Sequence, residues 1–283
     1  MKFCRFQMGD EKPRIGCERD AETLWDLTAV GTESLSALLE TGIPPLEQWI
    51  ARKPPTRALR SVRLLSPVEK QEVWAAGVTY LRSKKARMEE SDFSATAYDR
   101  VYDAVRPEIF FKSLPEKVVG PGDEIGIRQD SRWNVPEPEL ALVLNARGEI
   151  VGYTICNDMS SRDIEGENLL YLPQAKIYDR SCAVGPWICV GVSEEKARSW
   201  TIDLSIQRGE EVVFTGQTSV AQIKRSFSEL AQFLFRSQRF SNGAVLSTGT
   251  GIIPPDGFSL RAGDHVRIAI SGIGMLENKV AEV

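Results

Sequence analysis

The chain has 283 residues, 42% hydrophobic and 26% charged, the composition of an ordinary globular protein long enough to bury a full core. Its 35 basic and 39 acidic residues give a formal charge of −4 and are mixed along the sequence, so no nucleic-acid partner is expected. Five irregularly spaced cysteines without a C-x-x-C, a longest apolar run (Cys182–Val192) broken by glycine and proline, and an opening MKFCRFQMGDEKPRIG charged too early for a signal peptide argue against disulfide framework, zinc cluster and membrane, and for a cytoplasmic setting.

Residues 1–66 read as a small N-terminal domain or arm, with a helix at Thr32–Thr41 and proline stretches at Ile43-Pro44-Pro45 and Lys53-Pro54-Pro55; the main domain is expected over 67–283. Val73–Val78 reads as a buried strand ending at Thr79-Tyr80. A charged helix is expected at Arg82–Glu90, followed by polar residues to Tyr98 that form a flap of the kind that covers sites. Arg106–Lys112 puts the Glu108 carboxylate at the start of an aromatic strand, and Gly120-Pro121-Gly122-Asp123 is a turn. Glu137–Leu144 reads as a strand, Asn145–Gly148 as its turn, and Glu149–Asn157 as the returning strand. A helix is expected over Ser219–Arg236, and Gly243–Val283 alternates strand with glycine-rich turn.

The chemistry concentrates where these elements meet. Glu137 and Glu139 are two apart on the strand, so both side chains point to one side, and Asp158 closes the returning strand beside them. Three carboxylates with no Cys or His in the cluster suit Mg2+ or Mn2+ rather than zinc, or form a solvated acidic face. Lys176 follows as an isolated amine.

Across residues 70–283 these motifs resemble the fumarylacetoacetate hydrolase family. The likeness is carried by Glu137-Pro138-Glu139-Leu140-Ala141, Asn157-Asp158-Met159-Ser160-Ser161-Arg162-Asp163, Ala175-Lys176, Gly249-Thr250-Gly251, and the closing Gly263-Asp264 with Ser271-Gly272-Ile273-Gly274-Met275-Leu276-Glu277-Asn278. The resemblance implies a mainly β fold with some α: a mixed β-roll catalytic domain behind a small N-terminal domain. It implies Mg2+, or Mn2+, on Glu137, Glu139 and Asp158, a catalytic Lys176, Thr250 holding the substrate carboxylate, and a 2-keto acid or diketone as substrate. A homodimer or homotetramer is the expected assembly.

The family's C–C hydrolases carry a His and a Glu three residues on, just after the first strand, to activate water. Here Ser83 and Ala86 stand at those positions, and the chain's one histidine, His265, lies at a turn-to-strand position that suits structure better than catalysis. The stretches Thr79-Tyr80-Leu81-Arg82-Ser83, Tyr98–Asp103, Arg106–Lys112, Asn134–Glu139 and Glu165–Lys176 are instead similar to the family's sugar-acid dehydratase branch, the 2-keto-3-deoxy-D-arabinonate dehydratases. That likeness implies Glu108 as a second acid/base group, with Thr79, Arg82 and Ser83 about the substrate. It implies loss of the C4 hydroxyl from a 2-keto-3-deoxypentonate of D-arabinonate or D-xylonate origin, giving 2,5-dioxopentanoate in pentose catabolism. Whether Lys176 or Glu108 takes the C3 proton is open at this level. An acylpyruvate-type C–C hydrolase, an oxaloacetate-type decarboxylase and a non-catalytic sugar-acid-binding protein are the alternatives.

Overall fold

The computed structural model describes residues 1–81 and 100–283. The sequence-predicted helix at 82–90 and the flap to Tyr98 lie outside the described residues.

Five short strands open the chain: β1 (Lys2–Gln7), β2 (Arg14–Glu18), β3 (Thr23–Asp26), β4 (Thr56–Ala58) and β5 (Arg63–Leu65). The predicted first helix runs from Leu35 to Thr41, a turn shorter than expected, because Ser34 caps it. The Glu69 carboxylate accepts from the backbone N–H of Leu35 and Ser36 at 3.2 and 2.8 Å, placing negative charge at the helix N-terminus. Leu35, Leu38 and Leu39 pack with Phe3, Ile15 and Trp49 against Val143, Ile188 and Val190.

The strands that follow are β6 (Glu72–Gly77), β7 (Glu108–Ser113), β8 (Val118–Val119), β9 (Glu124–Ile127), β10 (Asn134–Val135), β11 (Pro138–Leu144), β12 (Ile150–Asp158), β13 (Ser160–Ser161) and β14 (Cys182–Cys189). The last set is β15 (Thr201–Arg208), β16 (Glu211–Ser219), β17 (Ala244–Ser247), β18 (His265–Ile270) and β19 (Gly274–Glu282). Among the described residues, a 12-stranded sheet has the order β4-β3-β2-β1-β14-β12-β11-β17-β6-β7, with β5 beside β1 and β8 beside β14. Segment 1–66 thus joins the main sheet through β1 on β14. A 5-stranded sheet, β16-β15-β18-β19-β9, stands apart, and side chains from both sheets, among them Leu140, Leu142, Ile155, Ile202, Leu204 and Ile268, share one core.

All seven residues of β11 are buried. Covered on both faces, such a strand has no solvent side to mark with polar residues, so its alternation is only partial in the sequence. Its turn and partner match expectation: Pro138 pairs with Asn157 and Glu139 with Cys156.

The helix expected over Ser219–Arg236 occupies only Phe227–Phe235. Ser219 ends β16 and caps a 3-10 turn at Val220–Gln222, Ile223 is extended, and Ser226 caps the true helix by accepting from Glu229 N at 3.1 Å. Periodic apolar residues continued through these two serines, but their side-chain hydrogen bonds divide the segment.

Candidate active site

Register brings the chemistry to one end of five neighbouring strands. Glu137 and Glu139 flank the start of β11, Asp158 ends β12, Gly249 follows β17, Gly77 ends β6, and Glu108 starts β7 directly opposite Gly77. The cavity there is walled by Glu108, Phe110, Glu137, Glu139, Asp158, Glu165, Lys176 and Thr250, together with Ala76, Gly77, Val78 and Gly249.

The acidic triad is buried: Glu137, Glu139 and Asp158 are 3%, 1% and 1% exposed, and one oxygen from each lies within 4.8 Å of the others. Their burial removes the reading of a solvated acidic face. Glu139 Oε2 accepts from Ser247 Oγ at 2.5 Å and from Gly249 N at 2.6 Å. Burial, and then the nearby Asp158 and Glu137 charges, push the Glu139 carboxyl well above the usual carboxylate range.

Lys176, 1% exposed, donates to Glu137 Oε2 at 2.5 Å and to Asp158 Oδ2 at 3.2 Å, with its ammonium 5.7 Å from the Phe110 ring centroid. Two further cations, not singled out from sequence, complete the cluster. Arg162 Nη2 donates to Glu137 Oε1 at 2.6 Å. Lys112, fully buried at the end of β7, has its ammonium 2.6 Å from Asp158 Oδ1 and donates to Met159 O at 2.9 Å and Lys176 O at 2.5 Å. A lysine directly after Phe110-Phe111 near the end of a strand was the available signal for Lys112, since a buried ammonium demands partners. Arg162 lay inside a quoted motif, and only the fold turns it onto Glu137.

Glu137, Glu139 and Asp158 thus meet Lys112, Lys176 and Arg162 in one buried cluster. Convergent all-oxygen donors fit one hard divalent cation held by Glu137, Glu139 and Asp158.

The loop after β17 is shaped by contact. Gly249 has φ +93°, and a Cβ there would run into Thr79 Oγ1. A Cβ on Gly77 would run into the Glu108 carboxylate, so glycine at 77 gives that side chain its room. Between them Val78, a β-branched residue lining the cavity, has φ +53°, a strained conformation of the kind that gathers at functional sites.

Of the residues expected at the site, Glu108, Glu137, Glu139, Asp158, Lys176 and Thr250 share the cavity. Thr250 Oγ1 has Pro138 O at 3.1 Å and Ile252 O at 3.2 Å as acceptors. The structure places Thr79 behind the Gly249 turn rather than on the wall, with its hydroxyl donating to Thr248 O at 2.6 Å. Arg82 and Ser83 lie outside the described residues. His265 starts β18 on the second sheet, 3.6 Å from Glu277 Oε1, in the structural setting expected of it.

Residues 72–281 match the family model described as fumarylacetoacetate (FAA) hydrolase C-terminal. The chain is similar to a probable 2-keto-3-deoxyxylonate dehydratase of Haloferax volcanii, 50% identical over 217 residues that cover 77% of this chain and 74% of that protein. It is also similar to the 2-dehydro-3-deoxy-D-arabinonate dehydratase of Saccharolobus solfataricus, 43% identical over 221 residues covering 77% and 74%. A solved structure of 2-keto-3-deoxy-D-arabinonate dehydratase complexed with magnesium and 2,5-dioxopentanoate superposes with a TM-score of 0.83 at 34% identity, covering 100% of this chain and 99% of that one.

Proposed function

The chain belongs to the fumarylacetoacetate hydrolase family, and from that premise we propose that it is a Mg2+-dependent dehydratase converting a 2-keto-3-deoxypentonate to 2,5-dioxopentanoate. The observation that carries this reading is the composition of the cavity wall: an amine, Lys176, and a separate carboxylate, Glu108, share it, with no histidine on the wall among the described residues. Such a site is equipped to move protons within a substrate rather than to activate a water nucleophile. The relatives named as pentonate dehydratases support the same conclusion.

Glu137, Glu139 and Asp158 would hold Mg2+, which when bound supplies Lewis-acid polarisation of the 2-keto group. Thr250 would take the substrate carboxylate by turning its hydroxyl from the Pro138 carbonyl to which it donates. Lys176 lies at hydrogen-bonding distance from Glu137 and Asp158, the carboxylates that would hold the cation. Its ammonium therefore faces the negative charge that grows on the C2 oxygen, and proton abstraction falls to Glu108. Glu108 takes the C3 proton; the same carboxyl, now protonated, returns it to the C4 hydroxyl. The C4–O bond breaks, the C3–C4 double bond forms and water leaves. The resulting unsaturated alcohol rearranges to the dioxo acid by moving a proton from C5 to C3 and ketonising at C5. Thr79 supports the loop by fixing the Thr248 carbonyl.

Among the described residues no helix is long and apolar enough to cross a membrane, and the five cysteines are buried and unpaired, which supports a reducing, cytoplasmic location. We assign the chain to a homodimer or a dimer of dimers, to be read by light scattering.

Glu108→Gln tests the assignment of the base. It should keep Mg2+ and 2,5-dioxopentanoate binding within about threefold while turnover falls by about 100-fold or more; undiminished turnover would remove Glu108 from the mechanism.

A further inference from the structure

Glu165 is a carboxylate on the cavity wall that the elimination leaves without a task. It sits on the helix Arg162–Glu167, is 2% exposed, and accepts from Ser160 Oγ at 3.0 Å. Building on the dehydratase reading, we propose that Glu165 determines specificity at the C4–C5 end of the substrate. It is a buried acceptor that takes the hydroxyl donors of a sugar acid and turns away chains ending in a carboxylate.

The placement follows from what lines the cavity. The C1–C2 end is engaged by Glu137, Glu139, Asp158, Lys176 and Thr250. The remaining ionisable side chains on the wall, among the described residues, are Glu108 and Glu165, on β7 and on the helix that follows β13. A chain running from C2 towards C5 therefore meets carboxylates. A carboxylate only accepts hydrogen bonds, and a hydroxyl on C4 or C5 can donate one. A carboxylate on C5 donates nothing and brings like charge into a site of low dielectric, where repulsion is strong. Because Glu108 changes protonation in every turnover, Glu165, held by Ser160, is the constant acceptor of the two. Sites that discriminate by donor and acceptor reject mismatched ligands far more strongly than apolar pockets do, since the mismatch leaves a buried polar group unpaired.

Two five-carbon 2-oxo acids differing only at C5, 2-oxopentanoate and 2-oxoglutarate, isolate this property. Each is used as a competitive inhibitor of the Mg2+-loaded full chain and of its Glu165→Gln variant, with the sugar acid as substrate. The native protein should bind 2-oxoglutarate at least about tenfold more weakly than 2-oxopentanoate. Glu165→Gln should bring the two within about threefold, and should lower kcat/KM for the sugar acid by about 10- to 100-fold. Equal inhibition constants in the native protein, or an unchanged ratio in the variant, would overturn the proposal. If Glu165→Gln does not fold, Glu165→Ser is read by the same ratio. A native protein that does not dehydrate the sugar acid would instead refute the dehydratase reading, and calorimetric binding of the same two acids to the native protein and the Glu165 variant would still decide on Glu165.

Discussion

Replacing Lys112 with methionine keeps the length of the side chain and removes its ammonium from among three oxygens: Asp158 Oδ1 at 2.6 Å, Lys176 O at 2.5 Å and Met159 O at 2.9 Å. Lys112 is 0% exposed and Asp158 1%, so water cannot replace the lost donor. Removing one partner of a buried ion pair costs about 3–5 kcal/mol, a large share of the roughly 5–15 kcal/mol that keeps a native protein folded. At about 2 °C per kcal/mol for a chain of this size, the Tm in EDTA should fall by roughly 6–10 °C. Saturating Mg2+ should raise the Tm of Lys112→Met more than that of the native protein, because the cation neutralises charge that Lys112 no longer balances. Turnover should fall as well, since Lys112 also anchors the backbone carbonyl of Lys176. Thermal unfolding followed by circular dichroism, in EDTA and in Mg2+, measures both shifts. A fall of less than about 2 °C in EDTA would refute the reasoning, because it would mean that Lys112 is not the buried counter-ion of Asp158.

Gly249→Ala forces a side chain onto φ +93° and into Thr79, so it should destabilise the protein by about 1–3 kcal/mol in urea unfolding and weaken Mg2+ binding by disturbing the Gly249 N–H that holds Glu139; native-like Mg2+ affinity would contradict this. Burial and the neighbouring Asp158 and Glu137 raise the Glu139 carboxyl, so a cation must displace a proton to use it: apparent Mg2+ affinity should rise with pH. Calorimetry in two buffers of different ionisation enthalpy should register proton release, and its absence near neutrality would count against the placement. Burial pushes the Cys17 thiol from 9.0 up to about 11, so between these values the unfolded chain loses a proton that the folded chain keeps. Stability should therefore fall as pH rises through that window, by up to roughly 3 kcal/mol from this group, and a Cys17→Ala variant should show a correspondingly shallower slope in urea unfolding.

The pattern of strands around the site was legible because it depends on local chemistry. Asn145–Gly148 turns the chain, β11 and β12 are apolar runs of strand length, and the Glu137–Glu139 spacing puts two carboxylates on one side. The helix before β17 was overextended because apolar spacing carries no information about the capping bonds of Ser219 and Ser226. Lys112 and Arg162 escaped notice for a different reason. A cation's role is set by register across strands distant in sequence, and 46 positions separate Lys112 from Asp158. Thr79 shows the reverse case: the motif drew attention to the right place, but its hydroxyl works on the loop at Thr248. The parallel pairing of β17 with β6, which brings Gly249 beside Gly77, is likewise invisible to local pattern.

Incubating the full chain with 2-keto-3-deoxy-D-pentonate, and separately with an acylpyruvate, in Mg2+ and in EDTA tests the central claim most directly when products are followed by mass spectrometry. The account predicts loss of one water from the sugar acid to give 2,5-dioxopentanoate, dependent on Mg2+, with the acylpyruvate intact; cleavage of the acylpyruvate and an untouched sugar acid would contradict it.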